Sequence, residues 1–317
     1  MSQVKPGTKE PSTPAVLGKP EADGSRFDFD AIGTRWQIET AEPLSRDLRS
    51  RILHRIERFD TTYSRFRPDS LVTRIAAAPD GGRFEFPEDS LALFALYDRL
   101  HAATDGAVDP LVGRELELLG YDSTYSLTPA PDEVRAAERA RGRVTWAGDI
   151  SRDGRTVVTE RPLVIDVGAV GKGYLVDLLS AILREAGHTD FVVDGSGDLR
   201  HVGERAIRVG LEHPFDPRRV IGVAHLRAQA LCASGTSRRA WGDGLHHVLD
   251  ARTGIPVSEV VATWVMADET ALADGLATAL FFTEARRLAE FFEFTYVRMR
   301  SDRQAEFSPD FMGELFT

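Results

Sequence analysis

Asp166-Val167-Gly168-Ala169-Val170-Gly171-Lys172-Gly173 sets three glycines and a lysine between an apolar run and a helical pattern. Glycine lets a backbone approach a ligand closely. The helix N-terminus that follows offers free N–H groups and a positive dipole end to an anion, and Lys172 adds a full charge. This is not a Walker A loop, which needs Gly where Asp166 stands and Ser or Thr where Gly173 stands. The order G-x-x-G-x-G is not the dinucleotide fingerprint either. A tight strand-to-helix turn carrying a solvated lysine accounts for the same residues equally well.

Three further segments carry chemistry. Asp194-Gly195-Ser196-Gly197-Asp198 follows the apolar strand Phe191-Val193, and its two carboxylates suit a metal or a transferring hydroxyl. A polar hairpin turn is the commoner meaning of D-G and S-G pairs. Neither Ser196 nor Ser234 satisfies G-x-S-x-G, so neither reads as a nucleophile elbow. His246-His247-Val248-Leu249-Asp250 puts His247 and Leu249 on one strand face and His246, Val248 and Asp250 on the other. Such a histidine can act as a base, although adjacent histidines are more often structural. Asp274 and Thr278 lie one helical turn apart on one face, as hard oxygen ligands that suit Mg²⁺ better than zinc. Asp–Thr pairs of this kind also occur without function.

The elements that position these residues are readable in part. A strand is expected over residues 31–40, with Trp36 and Ile38 on one face, then helices over 43–59, 89–103 and from Pro131 within 128–141. Arg143-Trp146 and Thr156-Thr159 suggest a hairpin around Asp153-Gly154. Leu163-Asp166 reads as a strand feeding a helix over 174–186. More strands are expected at 191–193, 206–209, 220–226, 231–234, 245–249 and 262–265, before a long helix from Thr270. Strands and helices mixed without a regular βαβ period predict an α+β fold.

Composition narrows the function without naming it. The 317 residues carry a net charge of −10, which argues against sequence-independent grip on nucleic acid. The single cysteine, Cys232, excludes an intrachain disulfide framework and Cys-rich metal sites. No run reaches the roughly 18–20 apolar residues of a membrane helix. Residues 1–26 are rich in Pro, Gly, Ser and charge, and are expected to form a disordered leader. They lack the apolar core of a secretory signal. The expected location is the cytoplasm if the sequence is complete, and the exported side if a signal has been removed. One domain is expected over residues 27–317.

No single motif decides the function, but their order does. The series A-I-G-T, S-R-F-R-P-D-S, T-D-G-A-V-D-P, D-V-G-A-V-G-K-G-Y-L-V-D, D-G-S-G-D, A-S-G-T-S-R-R, H-V-L-D-A-R-T-G and A-D-G-L-A-T resembles the ApbE family of flavin transferases over residues 31–282. The resemblance implies an α+β, mixed-sheet, T-fold-like architecture with helices packed on the sheets. It also implies a Mg²⁺-dependent enzyme that cleaves FAD, its substrate, and passes FMN to a Thr or Ser hydroxyl of an acceptor protein, releasing AMP. By that similarity Ile32, Phe66, Ala107, Val108, Asp109, Asp166, Lys172 and Val248 would contact FAD. Ala169, Asp274 and Thr278 would hold the metal, with Ala277 adjoining. His247 would act as base, and Asp198 matches the acidic residue of the family's Gly-Gly-Asp motif. This chain departs from the common family pattern in having Ile32 for Met, Phe66 for Tyr and Ala251 for Pro. FAD hydrolysis by water at the same site, or flavin binding without turnover, are the alternative readings.

Overall fold

The computed structural model describes residues 25–316. The expected leader falls on residues 1–24, which lie outside the described residues, while Ser25 and Arg26 already belong to the first strand, Ser25–Ala31. That strand and Thr34–Thr40 form a hairpin whose turn residues, Ile32 and Gly33, both have positive φ, 44° and 77°. Both central residues of a tight type I′ turn need this conformation, which a β-branched residue adopts only under strain.

The principal sheet has eight strands in the order Ser25–Ala31, Thr34–Thr40, Phe191–Asp194, Asp198–Val202, Ala230–Gly235, Val260–Ala267, Thr295–Arg300 and Ala305–Phe307. The α+β expectation holds, but the strands pair antiparallel rather than in mixed directions. Three of the pairs are hairpins, and a short connection forces the second strand to run back along the first. Strand alternation gives the sheet two apolar faces. Leu199, Leu231, Trp264, Met266 and Val297 pack against the small sheet Gly313–Leu315, Asp216–Leu226, Ile207–His213. Ala230, Cys232, Val265 and Ala267 face the helices.

The helical layer follows its apolar periodicity. Arg46–Tyr63 buries Leu48, Ile52, Ile56 and Phe59, and Ser45 caps it by accepting from the Leu48 amide at 3.1 Å. Ser90–Ala103 has no side-chain cap from Asp89, whose carboxylate pairs with Arg55 instead. Gly171–Glu185 and Thr270–Ala279 pack on each other and on the sheet. Asp177 of the first accepts from the Thr270 and Ala271 amides at 3.0 and 2.8 Å, and so caps the second from outside its own chain segment.

Two expected strands are absent. Leu163-Asp166 joins no ladder, and the Asp166 amide donates instead to the Pro110 carbonyl at 2.7 Å. The hairpin around Asp153-Gly154 pairs Ser151–Asp153, not Arg143-Trp146, with Thr156–Thr159. Thr145 caps a short helix, Trp146–Asp149, through a bond from the Gly148 amide at 3.1 Å, which removes that segment from the ladder. The run 245–249 divides into two short ribbon strands, Leu245–His246 and Leu249–Asp250.

Candidate active site

The site forms where the helices Gly171–Glu185 and Thr270–Ala279 meet the main sheet at Asp198, the first residue of a central strand. Their crossing is close because Gly173 has no side chain: a Cβ there would lie 2.3 Å from the Thr270 carbonyl oxygen and 2.8 Å from Asp274 Cβ. Gly173 therefore serves helix packing and not close approach to a ligand. Its amide donates to Asp274 Oδ2 at 3.0 Å, across 101 residues of chain. Of the three glycines in the turn, only Gly168 is exposed.

Asp274 is 2% exposed, and burial, reinforced by the Asp198 charge, pushes its carboxyl well above the ordinary range. Asp198 is fully buried and pairs through Oδ2 with Lys172, while its Oδ1 has no hydrogen-bond partner among the described residues. Burial opposes the Lys172 ammonium, but Asp198 and Asp274 together outweigh it and hold the lysine above its usual pKa. Thr278 Oγ1 donates to the Ala169 carbonyl at 3.5 Å, so these two expected metal donors are adjacent. Ala277 is fully buried, its side chain has no donor atom to offer a metal, and its carbonyl already accepts from Thr263 Oγ1 at 2.7 Å. Among the described residues, no three His, Cys, Asp or Glu side chains gather in a metal-binding arrangement. The candidate set is instead one carboxylate, one hydroxyl and one backbone carbonyl. Two crowded carboxylates facing a single lysine fit a hard divalent cation of the Mg²⁺ kind.

Asp194-Gly195-Ser196-Gly197-Asp198 is the hairpin turn its glycines suggested, with the Gly195 amide donating to the Asp198 carbonyl at 2.8 Å. Gly195 lies against the Trp36 ring, which a Cβ would approach at 2.9 Å. Asp194 accepts from the Gly197 amide at 3.0 Å, and burial pushes its pKa up to about 6.

The two adjacent histidines divide their duties. His246 Nε2 bonds the Val257 carbonyl at 2.8 Å and its Nδ1 accepts from the Val248 amide at 3.3 Å, which makes it structural. His247 Nδ1 is buried without a hydrogen-bond partner among the described residues. Burial and the nearby charge of Arg239 pull His247 down to about 3, with Lys172 adding to the effect. It is thus neutral at physiological pH.

The expected flavin-side residues fall into two groups. Ala107, Val108 and Asp109 are buried in a loop that also receives the Ala251 amide, at 3.1 Å, on the Ala107 carbonyl. This bond ties the H-V-L-D-A-R-T-G segment to T-D-G-A-V-D-P. The Asp109 carboxylate accepts from the Leu111 and Trp146 amides at 2.8 and 2.9 Å and lies 3.0 Å from His101 Nδ1, so it holds the loop together. Burial outweighs these partners and raises its pKa. Val248 is buried with Val260 and Phe281, and Ile32 packs at the margin of the main core.

Phe66 and Asp166, the second group, are joined through Arg65. Asp166 accepts from Arg65 Nε at 2.5 Å and from the Gly168 amide at 2.7 Å; burial opposes its charge, but Arg65 overcomes that and keeps its pKa low. Phe66 stacks on Tyr125 at 4.9 Å and meets Tyr121 edge-on at 5.4 Å, while Tyr121 stacks on Trp241 at 5.5 Å. Arg239 Nη1 donates to the Tyr121 hydroxyl at 2.8 Å, which links this aromatic wall to the surroundings of His247. The sequence reading missed Arg65, Tyr121, Tyr125, Arg239 and Asp177 as parts of the site. Arg65, Asp177 and Arg239 stood inside the motif series, but nothing in their spacing distinguished them.

Comparison with known proteins places this geometry. A FAD:protein FMN transferase of Rhodobacter capsulatus is 31% identical over 279 residues, covering 84% of this chain and 52% of that protein. The chain thus spans about half the length of that relative. Another FAD:protein FMN transferase, from Klebsiella pneumoniae, is 26% identical over 289 residues, 86% of this chain and 82% of that one. The flavin transferase ApbE from Vibrio cholerae superposes with a TM-score of 0.77 at 25% identity, over 91% of this chain and 98% of that one. The ApbE protein of Thermotoga maritima gives 0.78 at 25% identity, over 90% and 97%. The ApbE family model matches residues 32–299, which include the glycine turn, the histidine pair and the Asp274–Thr278 helix, and so the chain belongs to the ApbE family.

Proposed function

We propose that this protein is a Mg²⁺-dependent transferase that cleaves FAD and attaches FMN through a phosphoester to a Thr or Ser hydroxyl of an acceptor protein, releasing AMP. The relatives named FAD:protein FMN transferase support this reading. The observation that carries it is the meeting of Ala169, Asp274 and Thr278 at one helix crossing, beside Lys172 and a neutral His247.

Ala169, through its carbonyl, Asp274 and Thr278 would hold the metal. When bound, Mg²⁺ neutralises charge on the pyrophosphate and so eases departure of AMP. The chain's own residues do the rest. Lys172 brings positive charge to the first turn of a helix whose dipole favours an anion there, while the Gly171 and Gly173 amides are already engaged by Val167 and Asp274. As the acceptor oxygen bonds to the FMN phosphorus and the bond to the AMP oxygen breaks, the hydroxyl proton must leave. His247 is unprotonated and its Nδ1 is unpaired, so it can receive that proton. Asp198 keeps Lys172 charged and fixed.

Incubation with FAD, Mg²⁺ and a candidate acceptor tests the reading by acceptor mass. A gain of one FMN is expected, together with AMP. Free FMN and AMP without acceptor modification would replace transfer by hydrolysis. FAD binding with no AMP under any divalent metal would leave a non-catalytic flavin protein.

A further inference from the structure

Arg65 is placed as a side chain that has only part of what it needs. Its side chain is 4% exposed and lies between Asp166 and the aromatic wall. Nε donates to Asp166 Oδ2 at 2.5 Å, but Nη1 and Nη2 are buried and have no hydrogen-bond partner among the described residues. Buried polar atoms in folded proteins are nearly always paired, and a charged group without partners is the costlier exception. The guanidinium carbon stands 4.2 Å from the Phe66 ring centroid and 5.1 Å from that of Tyr121, so cation–π contact covers its faces and not its N–H edge. The unpaired edge is a planar fork, the shape that receives oxygen acceptors in pairs.

Asp166 takes a different role in this light. Its Oδ2 receives Arg65 and its Oδ1 the Gly168 amide, so the carboxylate fixes the direction of the fork.

We propose that Arg65 binds FAD directly, its two terminal nitrogens donating to an oxygen acceptor of the flavin held against the Phe66–Tyr121 wall. This rests on FAD being the ligand of the site. FAD offers two sources of such oxygen: the carbonyl edge of the isoalloxazine ring and the pyrophosphate. The aromatic surroundings favour the ring edge, because an apolar, aromatic-lined setting accepts a neutral conjugated ring at less cost than a charged pyrophosphate.

The test compares wild type with Arg65→Lys and Arg65→Gln in the full chain. Apo thermal melting first shows which variants are folded, and Kd is then measured for FAD, riboflavin and ADP. Lysine keeps the charge but loses the fork, and glutamine keeps a donor without the charge. In folded variants the FAD Kd should rise roughly 10- to 100-fold, the loss expected for a charged hydrogen-bonding group. A matching loss on riboflavin with ADP unchanged assigns the ring edge. Loss on ADP with riboflavin unchanged assigns the same fork to the pyrophosphate. Wild-type FAD affinity in either folded variant overturns the proposal and leaves the transferase reading standing. Failure of the wild type to bind FAD overturns both.

Discussion

Lys172 and Asp198 form an ion pair across the junction of a helix N-terminus and the start of a central strand, with the carboxylate wholly buried and the ammonium partly so. The pair joins the glycine turn to the hairpin turn, two segments that the chain otherwise connects only through a full helix and strand. Removing one member strands the other beside Asp274. Lys172→Met should therefore destabilise the protein by about 3 kcal/mol, as when one partner of a buried pair is lost. Adding Asp198→Asn should recover much of that. Urea unfolding of both single variants and the double variant measures the coupling, and strictly additive effects would show that the pair is not a unit.

The seam at Gly173 makes a sharper demand. Gly173→Ala directs a methyl group at the Thr270 carbonyl and Asp274 Cβ, so the helices must separate. We expect a loss of about 1–3 kcal/mol, typical of overpacking, and a weaker response of activity to Mg²⁺ because Asp274 moves. Calorimetry and a metal titration check both; an unchanged Tm would show that the helices are free to slide.

His247 should remain neutral across the physiological range. Its pKa is lowered to about 3 by burial and Arg239, so the folded state binds fewer protons than the unfolded one below about pH 6.5. Stability tied to this group is therefore full above that pH and is lost as pH falls toward 3. Nitrogen NMR of the imidazole should show no titration between pH 8 and 5, and a midpoint near 6.5 would contradict the burial. His247→Ala should abolish FMN transfer while leaving FAD affinity within a few fold; unchanged turnover would remove it from the mechanism.

Asp194 behaves in the opposite sense. Burial raises it to about 6, so the folded state keeps a proton that the unfolded chain loses near pH 4. Its contribution to stability is greatest below that pH and declines until about pH 6. Asp194→Asn preserves an acceptor for the Gly197 amide without the charge. It should stabilise the protein at pH 7 by about 2–3 kcal/mol and make no difference at pH 3.5. Equal Tm for the two proteins at pH 7 would contradict this.

The sequence displayed some of this architecture and concealed the rest for identifiable reasons. Leu48, Ile52 and Ile56 follow one helical face and are buried as their spacing predicts. Asp274 and Thr278 keep the shared face that their i, i+4 spacing requires, on the helix where it was expected. Leu163-Asp166 looked like a strand because apolar runs do not specify a partner, and the Asp166 amide goes to Pro110. Gly173 looked like an approach to a ligand because the helix that crowds it is about a hundred residues away in the chain. Arg65 could not be separated from surface arginines without knowing that two aromatic rings and Asp166 enclose it. Period and turn chemistry are local properties, whereas burial of a polar group is decided by distant segments.

The obstacle at Gly173 is backbone, the Thr270 carbonyl, so no smaller side chain opposite could make room for a larger residue there. Asp177 fastens the same two helices further along by holding the Thr270 and Ala271 amides. Two such fixings leave the pair little freedom to diverge. Variation in this protein can alter the aromatic wall or the outer loops one residue at a time, but the angle between the lysine-bearing and aspartate-bearing helices can change only through several coordinated substitutions. Changes of ligand preference should therefore enter through the wall, and the helix crossing should carry over unaltered from one specificity to the next.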